Sequence, residues 1–222
     1  MFYGILIISL AITLSAQFFV TSTYNKTKKI KNINNLTGSE VARQILDKNG
    51  LSNIKVVETP GNLSDHYDPK GKVVRLSSDV YNSPSIASVA VAAHECGHAI
   101  QHKEKYLFMS LRTFLVPFTN IASYVGYIAI MIGFLASAIG LVWIGILMEC
   151  VILLFQVVTL PVEFNASSRA LKQIKKLNFL ETKEYKKGRK MLTAAAMTYV
   201  AGVATTLLEI FRLVLMANRR ND

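Results

Sequence analysis

Two histidines four positions apart, with a glutamate directly after the first, stand in His94-Glu95-Cys96-Gly97-His98. On a helix, positions i and i+4 share a face one turn apart. Two imidazoles so placed can converge on one Zn²⁺ at N–Zn distances of roughly 2.0–2.1 Å. Glu95, beside the first ligand, is left free to act as general base on a water that the ion activates. Two neutral nitrogen ligands, a carboxylate base and an open coordination position are what a zinc hydrolase needs. The chain has four histidines, and three of them, His94, His98 and His102, fall within nine residues. That concentration favours a metal site over a core helix whose histidines are merely hydrogen-bonded.

The helix carrying these groups is expected to start with Ser83 as N-cap and Pro84 at the first helical position. An Ala- and Val-rich run follows up to His94. Cys96 occupies a variable position of the motif and is read as packing. His102 makes a poor third ligand, because on an unbroken helix its Cα would lie about 12 Å from that of His94. No histidine follows residue 102, so a carboxylate is the natural candidate. Glu163 opens a helical stretch just after an apolar run and is preferred, with Glu149 and Glu184 as the alternatives. His66 falls in a loop and is read as a surface histidine.

The elements that position these groups are organised by long apolar runs. Of the 222 residues 51% are hydrophobic, and the formal net charge of +11 lies outside those runs. This pattern predicts a membrane protein with basic flanks. No aromatic-interleaved basic patch or Gly-rich phosphate loop is present, so nucleic acid is not expected as a partner. The two cysteines, Cys96 and Cys150, form no disulfide framework. Residues 2–20 are uncharged and precede Lys26, Lys28, Lys29 and Lys31. They are read as an uncleaved anchor with its amino terminus outside and the following part cytoplasmic.

Residues 21–36 read as a polar linker. Thr37-Gly38-Ser39-Glu40 is a capping box opening a helix to Lys48. Residues 53–58 and 72–77 read as strands around the turn Asp68-Pro69-Lys70-Gly71. The strand at 72–77 is assigned the edge that would hold an extended peptide, a plain core strand being the alternative. Residues 113–162 predict a transmembrane hairpin hinged near Gly133 to Gly140. Glu149 interrupts its second arm, where pairing with Arg212 or an interfacial position accounts for it. The basic segment of residues 171–190 suits anionic lipid headgroups or a solvated face. The last run, Met191 to Met216, carries Glu209 and Arg212 and ends in Arg219-Arg220. It either spans or packs at the membrane surface.

The expected division is thus an anchor at 1–22, a cytoplasmic α+β part at 23–112, a hairpin at 113–162, a Glu-bearing basic segment at 163–190 and an apolar helix at 191–222. The expected fold class is a mainly α-helical membrane protein with a small α+β zincin-like catalytic domain.

With these stretches assembled, the chain resembles the YugP-like family of bacterial membrane zinc metallopeptidases. The resemblance rests on Ser64-Asp65-His66-Tyr67-Asp68-Pro69, Val74-Arg75-Leu76-Ser77, Asp79-Val80-Tyr81, residues 92–101 around the motif, Leu160 to Ser167 and Leu192 to Ala201. It implies His94 and His98 as zinc ligands and Glu95 as catalytic base and acid. The Glu163 stretch is also similar to the E-x-x-A-D helix of HtpX-type gluzincins, which implies Glu163 as third ligand. Ser167 stands where those have Asp, so a hydroxyl replaces the carboxylate that orients a ligating His. The implied activity is that of a zinc-dependent membrane endopeptidase in the bacterial cell membrane, multi-pass, and the basic flanks place its active site on the cytoplasmic side. Its partners would be the lipid bilayer and protein or peptide substrates, membrane proteins among them. No feature sets an oligomeric state. Tyr199 or Arg169 are the candidates for stabilising the oxyanion. The alternatives are a site-2-type intramembrane protease and a non-catalytic scaffold or regulator that retains the zinc site.

Overall fold

The computed structural model describes residues 2–219. In chain order the elements are α1 (Phe2–Lys28), α2 (Gly38–Lys48), β1 (Lys55–Thr59), β2 (His66–Asp68), β3 (Val73–Ser77), α3 (Ser78–Asn82), α4 (Ile86–Lys103), α5 (Leu107–Leu135), α6 (Ile139–Lys176) and α7 (Thr182–Arg219). Four of them, α1, α5, α6 and α7, are long and apolar enough to cross a membrane. With its single three-stranded sheet among the described residues, the chain is a helical membrane protein bearing a small α+β part. Arg220, part of the expected basic end, lies outside the described residues.

The chain divides into two units. One comprises residues 2–17, 110–161 and 197–219. Within it α5 and α6 are joined by a short turn between Leu135 and Ile139. The helices approach closely there, since a Cβ on Gly133 would lie 2.9 Å from the backbone nitrogen of Val142. Val142 and Ile146 bury against Leu213 and Ala217 of α7. Arg212 is not the partner expected for Glu149. It donates instead to Glu209, with Nε 2.9 Å from the carboxylate and Nη2 on its other oxygen. An acceptor one turn away on the same helix needs no second element to position it.

The other unit comprises residues 18–109 and 162–196. Part of the expected linker is helical here, because α1 runs on to Lys28, which pairs with Asp79. Helix α2 opens on the expected capping box. The Thr37 hydroxyl accepts from the Glu40 N–H, and the Glu40 carboxylate accepts from the Thr37 N–H at 2.8 Å. Its apolar stripe, Val41, Ala42, Ile45 and Leu46, joins the core with Leu76, Val80, Ile86, Val89, Ala93, Ile174 and Phe179.

The sheet order is β1-β3-β2, with β3 parallel to β1 and antiparallel to β2. The strand expected to be an edge is therefore the central one. Val73, Val74, Leu76 and Ser77 are buried in it, and both its sides are taken by neighbours. His66 lies in β2 and not in a loop, though its side chain is exposed. Helix α4 begins two residues later than expected. Ser85 is the N-cap, its hydroxyl accepting from the Ser88 N–H at 3.1 Å. Ser83 and Pro84 stay outside because the preceding chain pairs with residues 30–32. The Asn32 N–H donates to the Pro84 carbonyl, and the Ile86 N–H donates to that of Ile30, both at 2.9 Å.

Candidate metal centre

His94 and His98 sit one turn apart on α4, a helix buried over most of its length. Their rings meet edge to face, with centroids 4.8 Å apart and planes at 86°. Glu163 comes from α6, two residues beyond Pro161, and is 2% exposed. Its Oε2 lies 3.2 Å from His94 Nε2 and 3.6 Å from His98 Nε2. These three residues form a group able to hold a metal ion, with one ligand atom from each within 4.8 Å of the others. The donor set, two imidazole nitrogens and a carboxylate oxygen, fits Zn²⁺ with a fourth position left open.

Close approach of two helices makes this convergence feasible. A Cβ on Gly97 would lie 2.6 Å from the Ala166 carbonyl oxygen, so only glycine lets α6 come so near α4 at that level. Ala166 and Ala170, both fully buried, keep the facing side of α6 equally slim. Glu95 lies on α4 next to His94 and is 8% exposed.

Each histidine also has an outer partner. Ser167 Oγ lies 3.2 Å from His94 Nδ1. His98 Nδ1 lies 3.0 Å from Oε1 of Gln101, a residue with no exposed surface. Gln101 was not among the residues singled out from the sequence. Its position three after His98, which puts it on the same helix face, is the signal by which it could have been found. Burial works against a charged His98 imidazole. The hydrogen bond to Glu163 and the negative charge of Glu95 outweigh it, so the pKa lies above the ordinary imidazole value. Asp65 is a second residue the sequence reading passed over. Burial raises its carboxyl pKa, against the pull of the Ser77 N–H and hydroxyl that donate to it, and Glu95 adds to the rise.

The remaining candidates go elsewhere. His102 Nδ1 pairs with the Tyr67 hydroxyl at 2.9 Å. Glu184 accepts from the N–H groups of Ile33 and Glu181. Glu149 and Tyr199 belong to the other unit. Arg169 is engaged by Asn165 at 2.6 Å and by Glu104 at 2.7 Å. Cys96 is buried against α2, its thiol pushed up in pKa by burial and pointing at the Ala42 carbonyl. It packs, as its place in the motif suggested.

Fold and site together define a helical membrane protein with a His–His–Glu group able to hold a metal. The chain belongs to the family described as "Putative neutral zinc metallopeptidase", whose match spans residues 2–218. It is 42% identical over 216 residues to "Putative membrane protease YugP" of Bacillus subtilis (strain 168), covering 97% of this chain and 96% of that relative. No solved structure matches. The YugP-like resemblance carried by the motifs therefore extends across the chain.

Proposed function

We propose that the chain is a zinc-dependent membrane endopeptidase in which His94, His98 and Glu163 hold the metal and Glu95 is general base and acid. The observation carrying this reading is the meeting of Glu163 Oε2 with Nε2 of both histidines beside a largely buried Glu95. A zinc ion held by His94, His98 and Glu163 would supply Lewis acidity at this site. Glu95 takes the proton from the water as its oxygen adds to the carbonyl carbon, then delivers it to the departing amine nitrogen. Ser167 orients His94 through Nδ1.

Substrates on this reading are proteins or peptides, membrane proteins among them. An extended segment fits the edge strand β2 better than the central β3, since an edge offers main-chain groups for pairing. The active site is assigned to the cytoplasmic side of a bacterial membrane. Lys26, Lys28, Lys29, Lys31 and the basic stretch from Lys172 to Lys190 belong to the same unit as Glu95, in keeping with the positive-inside rule. The motif helix α4 is not among the four candidate spans, which favours this reading over a site-2-type intramembrane protease.

The test is zinc content and casein cleavage of the detergent-purified wild type, Glu95→Gln and Glu163→Ala. The expected result is that Glu95→Gln keeps zinc while cleavage falls about 10²–10⁴-fold, and that Glu163→Ala loses both. A wild type without zinc or cleavage, or a fully active Glu95→Gln, overturns the proposal.

A further inference from the structure

Gln101 makes three polar contacts inside the protein. Its Oε1 faces His98 Nδ1 at 3.0 Å, and its Nε2 faces the Val162 carbonyl at 2.8 Å and Asn165 Oδ1 at 3.0 Å. The polarity of this network follows from its far end. A guanidinium has donors and no acceptor, so the Asn165 atom met by Arg169 Nε at 2.6 Å is the amide oxygen. That oxygen only accepts, and so does the Val162 carbonyl. Both therefore demand the NH₂ of Gln101. Its carbonyl oxygen is thereby turned to His98, and Nδ1 must carry a proton. Glu104 in turn holds Arg169 at 2.7 Å.

His94 is under no such constraint. Its Nδ1 partner is the Ser167 hydroxyl, which can donate or accept. The two histidines of the motif are thus prepared differently, although the sequence presents them as equivalent.

We propose that Gln101 is a positioning residue that presets His98 in the Nδ1–H form, leaving Nε2 as the metal-facing nitrogen. It also ties His98 to α6 on either side of Glu163, through the backbone carbonyl of Val162 and the side-chain oxygen of Asn165. One side chain thereby sets both the tautomer of a ligand on α4 and the spacing of that ligand from the carboxylate on α6. The inference rests on the reading of His94, His98 and Glu163 as the metal-holding group.

The experiment uses full-length protein in detergent as wild type, Gln101→Met and Gln101→Glu. Zinc affinity is measured by chelator competition, the cobalt-substituted protein by its visible absorption, and the metal-free protein by thermal unfolding. Methionine keeps the length and packing of glutamine without its hydrogen bonds. Glutamate keeps an acceptor facing Nδ1–H but loses the NH₂ that Val162 and Asn165 demand. Gln101→Met is expected to bind zinc about 10–100-fold more weakly and to show an altered cobalt spectrum, with the metal-free protein still folded. Gln101→Glu is expected to bind more tightly than Gln101→Met and more weakly than wild type. Wild-type affinity and spectrum in folded Gln101→Met, or in Gln101→Glu, overturns the proposal. If Gln101→Met does not fold, Gln101→Glu decides: affinity and spectrum equal to wild type refute the role. A wild type that fails to bind zinc sinks the metal-centre reading itself, which separates that failure from a failure of Gln101 alone.

Discussion

Ser167 Oγ sits 3.2 Å from Nδ1 of His94, while Nε2 of the same ring faces Glu163. A hydroxyl there orients the imidazole without adding charge. Ser167→Ala is expected to weaken zinc binding by about tenfold, the low end for loss of such a partner. Ser167→Asp supplies a carboxylate acceptor and is expected to tighten binding relative to wild type. Chelator competition reads both, and an Asp variant weaker than Ala would show that the hydroxyl does not orient His94.

Gly97 tests the helix contact. A methyl group at this position meets the Ala166 carbonyl, so α6 must move away from α4. Gly97→Ala is expected to cost roughly 1–3 kcal/mol of stability, seen as a lower unfolding temperature. Zinc occupancy should fall with it, because Glu163 and the histidines are carried on the two helices being separated. Unchanged stability and occupancy would mean the contact relaxes without consequence.

The capping box provides a test far from the metal. Thr37→Ala is expected to destabilise by about 1 kcal/mol. The Glu40 carboxyl is held below its ordinary pKa by the Thr37 backbone N–H first and the Thr37 hydroxyl second. A depressed carboxylate stabilises the fold above its unfolded-state pKa, and that contribution disappears as pH falls through the folded-state value. The stability gap between wild type and Glu40→Gln should therefore be present at neutral pH and close in acid. Solvent exposure keeps the gap small. A gap that widens in acid would contradict the assignment.

Removing the metal should lower stability by linkage. A ligand bound only by the folded state, at free concentration 100 times its Kd, adds about 2.7 kcal/mol. Chelation should lower the unfolding temperature of wild type and leave Glu163→Ala nearly unmoved. Equal shifts in both would place the bound metal elsewhere.

Much of this protein is local in origin and was legible in the sequence. The His94–His98 spacing, the Thr37–Glu40 box and the apolar runs each depend on residues within a few turns of one another, so helix periodicity suffices to read them. The start of α4 was misplaced because Ser83 and Pro84 satisfy local rules for a helix start. Backbone pairing with residues 30–32, more than fifty positions away, holds them extended instead. Likewise 72–77 is recognisable as a strand, but whether it is edge or centre depends on β1 and β2 flanking it.

Glu163 lies 69 positions from His94, and composition could nominate it without placing it. Tertiary structure decided its meeting with both histidines, through a helix contact that Gly97 and Ala166 make close enough. Tertiary structure alone also distinguished the two histidines. The direction of a hydrogen bond at a ring nitrogen is set by its partner's partners, and for His98 that chain ends at Arg169 on another helix.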